Sequence, residues 1–442
     1  MHHLRHPIRL IPILFLCAIL IGTALLDLPI ATAGGTSAPL LTSFFTATSA
    51  VAVTGLIVVD TPTYWSGFGQ GVILLLFQVG GFGIMTAASL LGLIVGRGFG
   101  LRDRMATHVE RSRLETSDAA SVLRLVFRVT VVVEAAVAAV LTVRFAAHYH
   151  MPFLTAAWHG TFHSVSAFNN AGFSSFSDSV IGFQTDWMIL SPLMFAVVLT
   201  SLGFPVMQDI RAKRLRWRRW TLHSKITVAG TGALLLTGFA AILAMEWHNP
   251  QTLGPLNWGA KILNAAFHSV MPRTAGFNSV PVGGFHDETL MANFILMFIG
   301  GGSAGTAGGI KVTTFFVLFA IVASEILGRR DAVAFQRRFG GAVQRQALSV
   351  TVLAASLIFV ATTYIASISH LPLDDILFEC ISAFSTVGLS TGITADLPPT
   401  ALLVIAALMF VGRVGTITVA TALALGERDR PFRYSEENPI VG

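Results

Sequence analysis

The sequence FSTVGLSTG, at residues 384–392, surrounds one glycine with small and hydroxyl-bearing residues inside an apolar stretch. Related phrases occur three more times, at intervals of roughly 110 residues. The copies at 49–56, 166–173 and 382–389 all read S-A-[VF]-x-x-x-G-[LF], and a looser copy occupies 270–277. Four copies at a nearly constant interval predict that the chain is built from four structural repeats.

The segments between these phrases are apolar enough to cross a lipid bilayer. Hydrophobic residues make up 53% of the chain and charged residues 12%, whereas soluble domains carry about 25% charged residues. A globular core could not absorb so much apolar surface, and many segments approach the ~20 residues that a spanning helix needs. We therefore predict an all-α integral membrane protein rather than a membrane β-barrel, whose segments would be shorter and alternating.

Each repeat has the same predicted outline: a long apolar helix, a short amphiphilic segment that ends at the glycine phrase, a polar turn and a second apolar helix. The short segments cannot cross the bilayer and have both ends on one side, so we predict re-entrant loops buried in protein. The predicted fold has eight transmembrane helices in four helix–re-entrant pore loop–helix repeats around a central pore with pseudo-fourfold symmetry. The first helices are predicted at 8–30, 119–147, 223–247 and 346–369, the short segments at 38–52, 153–168, 258–271 and 373–385, and the second helices at 67–96, 185–208, 289–326 and 399–425.

The domain boundaries follow from this outline. Repeat 1 is predicted at 1–96, repeat 2 at 119–208, repeat 3, with a broken second helix, at 223–326 and repeat 4 at 346–425, separated by linkers 97–118, 209–222 and 327–345 and followed by the tail 426–442. The first apolar run, 8–28, follows basic residues, as a signal peptide would. Its length and the lack of a clean cleavage site favour a retained helix.

Basic residues are concentrated on one side of the predicted membrane. They cluster at 97–113, 211–225, 329–345 and 428–433, whereas the loops on the opposite side lack them. The positive-inside rule therefore predicts cytoplasmic linkers and cytoplasmic termini in a multi-pass plasma-membrane protein. The net charge of +6 then reflects these cytoplasmic clusters, which can also contact anionic lipid headgroups, and it indicates no nucleic-acid partner.

The glycine phrases suit the passage of a monovalent cation. An unsolvated charge in a bilayer costs tens of kcal/mol, and rings of backbone carbonyls can replace the hydration shell of the ion. Glycine permits the dihedral angles that point successive carbonyls one way, and each short helix directs its negative C-terminal end to the same place. Close helix packing is the alternative role of these glycines, but their recurrence in register favours a filter. The predicted filter residues are Val53, Thr54, Gly55, Asn170, Ala171, Gly172, Thr274, Ala275, Gly276, Thr386, Val387 and Gly388.

These phrases resemble the filter segments of a known family. ATSAVAVTGL, FHSVSAFNNAGF, RTAGFNS and STVGLSTG are similar to those of the Trk/Ktr/HKT superfamily of potassium transporters, and the likeness runs from about residue 8 to the C-terminus. The chain resembles the Ktr-type membrane subunit more than the Trk type, which typically carries an extra N-terminal helix pair. The resemblance implies K⁺ as the transported ion, a homodimer with one pore per protomer, and a cytosolic ring of nucleotide-binding, Rossmann-type regulatory subunits. Glycine in all four loops fits a preference for potassium, since members with serine in the first loop favour sodium.

The stretch IGGGSAGTAGGIK, at 299–311, contains six glycines inside the predicted second helix of repeat 3. Each costs about 1 kcal/mol in a helix interior, so we expect the helix to unwind there. A nucleotide-binding loop is disfavoured because no Walker pattern or preceding strand is present, and GGSA is not the G-x-S-G of intramembrane serine proteases. The resembled transporters carry a glycine-rich intramembrane gating loop here. The expected gate residues are Gly300, Gly301, Gly302, Ser303, Gly305, Gly308, Gly309 and Lys311, together with Arg413.

Two cations near this loop have competing interpretations. Lys311 either extends to the inner interface or helps to repel and release cations at the gate. Arg413 lies ~21 Å along the last helix, where an arginine costs roughly 2.5–3.5 kcal/mol on insertion scales. A fixed positive charge there would hinder cation passage and could pair with carbonyls of the glycine loop, as the family resemblance also implies. Pairing with a carboxylate is the alternative.

The remaining embedded polar residues show no catalytic or metal-binding pattern. Glu134 and Glu379 are given no role, and His163 and His268 are interpreted as hydrogen-bonded packing residues. Cys17 and Cys380 are interpreted as small core residues. No transition-metal site, organic cofactor or catalytic residue is predicted.

The predicted function is the pore-forming subunit of a potassium uptake system. A carrier that couples K⁺ to Na⁺ or H⁺ is the main alternative, because sequence does not distinguish a channel from a coupled carrier. An intramembrane enzyme is disfavoured by the missing nucleophile and base. A receptor without ion flux is disfavoured because four filter phrases would then have no purpose. No cytoplasmic segment is long enough for a sensor domain, so we expect nucleotide to act on a partner ring.

Overall fold

The structure of the protein is a computed structural model that describes residues 7–96, 111–214 and 216–415. Most of the predicted first linker, the end of the last predicted helix and the predicted tail 426–442 lie outside the described residues. The helices of the described chain are α1 (Pro7–Leu26), α2 (Leu40–Val51), α3 (Thr61–Tyr64), α4 (Gly67–Gly96), α5 (Arg111–His148), α6 (Phe153–Asn169), α7 (Trp187–Ser201), α8 (Phe204–Lys213), α9 (Leu222–Glu246), α10 (Trp258–Val270), α11 (Asp287–Phe298), α12 (Val312–Ile326), α13 (Gly341–Ile368), α14 (Leu373–Phe384) and α15 (Pro399–Phe410), and one antiparallel hairpin pairs β1 (Val333–Ala334) with β2 (Arg337–Arg338).

Long apolar helices form the outside of the molecule. Within the described residues, four are long and apolar enough to cross a membrane, in α4, α5, α9 and α13, and the bent pair α7–α8 could supply a fifth. Their outward side chains are hydrophobic and exposed, for example Leu236 at 70% and Phe359 at 71%. An apolar exterior of this kind is stable only against lipid tails, so the chain is a multi-pass membrane protein.

The short helices α2, α6, α10 and α14 occupy the interior. Phe45 in α2, Phe162 in α6, Phe267 in α10 and Phe378 in α14 are all fully buried. Cys380 in α14 lies in this core, but Cys17 is exposed on α1, so its interpretation as a core residue was wrong. The sequence could not indicate which face of α1 carries Cys17, because α1 is apolar on all sides.

The predicted helix 185–208 is not one straight helix. It ends at Ser201, and the chain turns by 90° into α8, which continues into the predicted linker as far as Lys213. The turn occurs at Gly203, whose φ of +83° places it in a conformation that favours glycine. Pro205, in the first turn of α8, suits a helix start.

The glycine-rich stretch interrupts the next long apolar segment. Helix α11 ends at Phe298 and α12 begins at Val312, with an irregular loop between them that we call the plug loop (residues 299–311). Its two ends meet in a parallel bridge between Ile299 and Ile310. The Gly300 N–H donates to Ile310 O at 2.8 Å, and the Val312 N–H donates to Gly301 O at 3.0 Å. These bonds form a narrow neck that satisfies the backbone where the helix stops.

Candidate functional site

The four phrase glycines form a closed ring. A Cβ atom built on Gly55 would lie 3.2 Å from Gly172 Cα, and one on Gly172 would lie 3.1 Å from Gly276 Cα. Gly276 approaches Gly388 Cα in the same way, and Gly388 approaches Gly55 Cα, each at 3.1 Å. Every such Cβ would also overlap the carbonyl oxygen just before the next glycine, at Thr54, Ala171, Ala275 or Val387. The four loops therefore converge on one point in cyclic chain order.

All four loops share one unusual backbone conformation. The ring glycines have positive φ angles, and so do the residues two positions earlier: Val53 at 56°, Asn170 at 61°, Thr274 at 76° and Thr386 at 50°. Positive φ is rare for side chains of this size, and such strain persists only where the surroundings impose it, commonly at functional sites. Alternation of positive and ordinary φ brings successive carbonyls toward the same side of the strand. The sequence indicated this freedom at the glycines and gave no sign of it at the earlier residues.

Serines of the repeated phrase hold the ring glycines in place. Ser49 Oγ accepts a hydrogen bond from the Gly55 N–H, and Ser382 Oγ accepts one from the Gly388 N–H, both at 3.1 Å. Ser166 Oγ instead donates to Phe173 O at 2.8 Å, just beyond its glycine. The equal spacing of these serines from the glycines in three of the four repeats was the sequence signal for this role.

The predicted filter side chains are buried around the ring. Val53, Thr54, Ala171, Ala275 and Val387 are at most 1% exposed. The Asn170 amide is engaged in structure: its Nδ2 donates to Ser201 Oγ at 2.9 Å and Thr274 Oγ1 at 3.2 Å. The Asn170 side chain therefore connects the second loop to the third loop and to α7. It is engaged in these contacts and does not point into the ring.

A cavity of about 520 Å³ opens on one side of the ring. All four ring glycines line it, together with the residues that follow them, including Asp60 and Asp178. Lysine, arginine and histidine are absent from its described lining. With carboxylates and no cationic side chain in its described lining, the cavity has a negative electrostatic potential.

The plug loop lies on the opposite side of the ring. A Cβ atom on Gly309 would lie 3.3 Å from Ser385 Cβ, and one on Gly300 would lie 3.4 Å from Thr274 Cγ2, both residues that precede ring glycines. The Gly302 N–H donates to Ser201 O at 2.7 Å, which fixes the loop to the end of α7. The predicted gate residues are thus packed directly against two of the four ring loops.

Three cationic side chains bind carbonyls of the plug loop. Arg413 Nη1 donates to Thr306 O, Lys311 Nζ donates to Ala307 O at 2.6 Å, and Arg273 Nη2 donates to Gly300 O at 2.9 Å. None of them belongs to an ion pair found in the described part of the chain. The Lys311 ammonium thus turns back to the loop that precedes it. Arg273, the first residue of RTAGFNS, was not among the predicted site residues.

Other buried polar residues position the chain beyond the ring. His163 Nε2 bonds Ser174 Oγ at 2.9 Å, His268 Nε2 accepts from the Ser279 and Val280 N–H groups at 3.3 Å, and Glu379 accepts from Thr394 Oγ1 at 3.1 Å. These contacts confirm that both histidines are hydrogen-bonded packing residues. Among the described residues, no cluster of His, Cys, Asp or Glu could hold a metal ion.

Glu134 belongs to a separate cluster behind the second ring loop. Its carboxylate accepts from Gln78 Nε2 at 3.4 Å and from Asn169 Nδ2 at 3.5 Å, and Asn169 also donates to Gln78 Oε1 at 2.5 Å. The cluster connects α4, α5 and α6. Glu134 therefore supports the second loop from behind and does not reach the ring.

The long helices present apolar side chains outward, and the buried polar groups surround the internal ring of glycines. This arrangement is that of a multi-pass membrane protein. A family model described as TrkH, cation transport protein, matches residues 20–434. The chain therefore belongs to the TrkH family of cation transport proteins, which confirms the resemblance found in the sequence. As a member of a transporter family, the chain is not an enzyme.

Individual relatives cover nearly the whole chain. Ktr system potassium uptake protein B of Bacillus subtilis is 35% identical over 438 residues, covering 99% of this chain and 97% of that protein. The potassium/sodium uptake protein NtpJ of Enterococcus hirae is 34% identical and covers 99% of this chain and 97% of that protein. The crystal structure of the potassium transporter TrkH from Vibrio parahaemolyticus has the same fold, with a TM-score of 0.68 and 19% identity, over 91% of this chain and 83% of that one.

Proposed function

We propose that this chain is the pore-forming subunit of a potassium uptake system. The observation that carries the proposal is the closed ring of Gly55, Gly172, Gly276 and Gly388, in which each glycine abuts a carbonyl of the next loop. Rings of carbonyl oxygens can replace the hydration shell of K⁺. The relatives named for potassium uptake support K⁺ as the transported ion.

The proposed pore lies between four helix–loop–helix repeats with eight membrane spans. Four spans are the long helices, and the bent pair α7–α8 gives a fifth. The other three are α1, the interrupted pair α11–α12, and α15 with its continuation, each of which has a described apolar helix shorter than a full span. The basic linkers support cytoplasmic termini in the plasma membrane.

In this proposal the plug loop is the gate. It is packed against the ring loops by its contacts with Ser385, Thr274 and α7, which places it across the proposed ion path. Arg413 and Lys311 add positive charge on the same path. Transport therefore requires the plug loop to move, and the cations that bind its carbonyls set how readily it does so.

Coupling of K⁺ to Na⁺ or H⁺ is the second candidate mechanism. The 34% identity to a protein named for potassium and sodium uptake favours it. Flux measured with and without a Na⁺ gradient distinguishes the two mechanisms. A coupled carrier accumulates K⁺ against the electrochemical gradient of K⁺ when Na⁺ flows inward, whereas a channel does not.

The proposed assembly is a homodimer on a cytosolic ring of Rossmann-type subunits. The word "system" in the names of the Ktr relatives supports a partner subunit. The basic stretch 211–225 offers such a partner a positive cytoplasmic face. Nucleotide would act on the ring, so the purified chain alone should bind no adenine nucleotide tightly.

The test uses the purified chain in liposomes and in a potassium-uptake-deficient strain. The wild-type chain should carry ⁸⁶Rb⁺, a K⁺ tracer, and restore growth at low K⁺. Gly388→Ser should weaken K⁺ affinity or the preference for K⁺ over Na⁺, because its side chain would enter the space of the Thr54 carbonyl. Normal selectivity and affinity in a well-folded Gly388→Ser protein would refute the ring as a filter.

A further inference from the structure

Arg273 is a buried charge whose position the other three loops do not share. It lies three residues before Gly276, and the corresponding residues before the other ring glycines are Ala52, Asn169 and Ser385. Its side chain is 2% exposed. Desolvation of an ion costs several kcal/mol, so a cation kept in only one of four related loops indicates a task specific to that loop.

The bond of Arg273 joins the ring to the neck of the plug loop. Its Nη2 donates to Gly300 O at 2.9 Å, and Gly300 is the residue whose N–H closes the neck through Ile310 O. Arg413 binds the loop further along, at Thr306. The guanidinium of Arg273 therefore binds the plug loop where its two ends meet. This contact lies next to Thr274, in the loop that carries Gly276.

Among the described residues, no carboxylate pairs with Arg273, and its positive charge is compensated by backbone carbonyl dipoles. Its Nη1 is buried without a hydrogen-bond partner, as are Nε and Nη2 of Arg413. Buried N–H donors normally have a hydrogen-bond partner. The unpaired N–H groups of these two arginines could therefore donate to new carbonyl partners when the plug loop moves. A guanidinium can keep one bond while the other is remade, because it presents several donors in a fixed fork.

We propose that Arg273 couples the third ring loop to the gate by holding the neck of the plug loop closed. This inference rests on the proposed function of the plug loop as the gate. Arg273 is a positioning residue: it acts on the ion path through Gly300 and the plug loop. Its bond must break or change partner when the plug loop moves, so it raises the barrier to opening.

The test is a double-mutant cycle on ⁸⁶Rb⁺ flux through the purified chain. The four proteins are wild type, Arg273→Gln, a variant that lacks plug-loop residues 303–306, and the combination. Arg273→Gln should raise flux at least about tenfold, which corresponds to about 1.4 kcal/mol, because it removes a hydrogen bond donated by a charged group. In the shortened-loop background the same substitution should change flux less than twofold, since the shortened loop no longer imposes the barrier that Arg273 would raise.

Two further variants separate the gate role from a structural one. Arg273→Lys keeps the charge without the donor fork and should give intermediate flux; it also carries the test if Arg273→Gln does not fold. Lys261→Gln is the matched control, because Lys261 is a buried cation on α10, the helix that precedes the loop of Arg273, and its Nζ donates to Trp247 O at 2.7 Å, away from the plug loop. It should leave flux within twofold of wild type.

The outcomes distinguish the inference from the function on which it rests. If the shortened loop alone does not raise flux in a folded protein, the gate assignment fails. If it does raise flux but Arg273→Gln leaves flux unchanged, or lowers it equally in both backgrounds, the coupling role of Arg273 is refuted. A change in K⁺/Na⁺ selectivity that persists in the shortened-loop background would place Arg273 in the filter instead.

Discussion

At the scale of single residues, the ring glycines meet two separate demands. Gly388 has a φ of 89°, which strains any side chain, and its Cβ would also overlap Thr54 O. Gly392 has a φ of 109° but no atom within 4 Å of a Cβ, and Gly71 meets neither demand. These three positions therefore separate backbone strain from steric overlap within one protein.

We expect alanine at these positions to give a graded series. Gly388→Ala should abolish the preference for K⁺ over Na⁺, and Gly392→Ala should lower thermal stability by about 1 kcal/mol with selectivity retained. Gly71→Ala should retain selectivity and raise thermal stability by up to about 1 kcal/mol, because Gly71 lies inside α4. The measurements are K⁺ and Na⁺ uptake and thermal unfolding in detergent. Equal selectivity in Gly388→Ala and Gly71→Ala would mean that the ring does not discriminate between ions.

Arg413 is the residue-scale test of charge beneath the ring. Its side chain is 2% exposed and binds the plug loop at Thr306 O. Arg413→Ala should raise the K⁺ flux of the purified chain, because it removes both a repelling charge and a tether. Arg413→Lys should recover part of the wild-type restraint. A lower flux with intact folding would assign Arg413 to packing or assembly.

At the scale of elements, Asp209 joins α8 to the start of α9 after the 90° bend. It accepts from Lys213 Nζ, Thr221 Oγ1 and Ser224 Oγ, each at 2.7 Å. Burial raises the pKa of Asp209, but these hydrogen bonds together hold that pKa below its usual range. A carboxyl whose folded-state pKa is depressed stabilises the protein above its unfolded value, near pH 4, and loses that contribution as pH falls through the folded value.

Asp209→Asn should therefore lower thermal stability at pH 7, and its difference from wild type should narrow below about pH 4. Asp331→Asn is the control, because its ion pair with Arg338 is exposed and contributes little. The measurement is the thermal unfolding temperature in detergent across this pH range. A difference that stays constant with pH would show that the charge of Asp209 is not what connects the two helices.

The sequence predicted the interruption of the helix at 299–311 but not the bend at Gly203. The difference lies in the number of residues that indicate each feature. Six glycines within the plug loop outweigh any helix propensity, so the interruption at 299–311 is readable from composition alone. The bend at Gly203 depends on one glycine that must approach Ser303 of the plug loop, a tertiary contact that no local pattern encodes. The same holds for Arg273. Its side chain binds the carbonyl of Gly300, which is distant in sequence, so no local pattern indicates this contact.

At the scale of the whole molecule, the proposed orientation places the cavity at the outer end of the protein and the basic linkers at the cytoplasmic end, so the two ends would carry opposite electrostatic potentials. Asp60 lines the cavity, where its Oδ2 accepts from Ser177 Oγ at 2.7 Å and so bridges the first and second repeats. We expect Asp60→Asn to weaken the apparent K⁺ affinity at low ionic strength. The difference should shrink at high salt, because a Debye length of about 8–10 Å at physiological strength falls to about 3 Å at 1 M.

The measurement is ⁸⁶Rb⁺ uptake against K⁺ concentration, with choline chloride setting the ionic strength. Asp374→Asn is the matched control, since Asp374 is exposed at the start of α14 and lies outside the cavity lining. It should leave the affinity unchanged. An Asp60→Asn effect that does not depend on salt would point to a local structural role instead of attraction at a distance.

The ring also has an evolutionary consequence. In a pore made from four identical chains, every substitution appears four times, so an arginine beneath the ring would place four charges around one axis. Here four loops of one polypeptide close the same kind of ring, and each can diverge alone. Arg273 stands in one loop while Ala52, Asn169 and Ser385 occupy the matching positions. Covalent linkage of the four loops thus lets one loop change alone while the fourfold arrangement of the glycines is preserved.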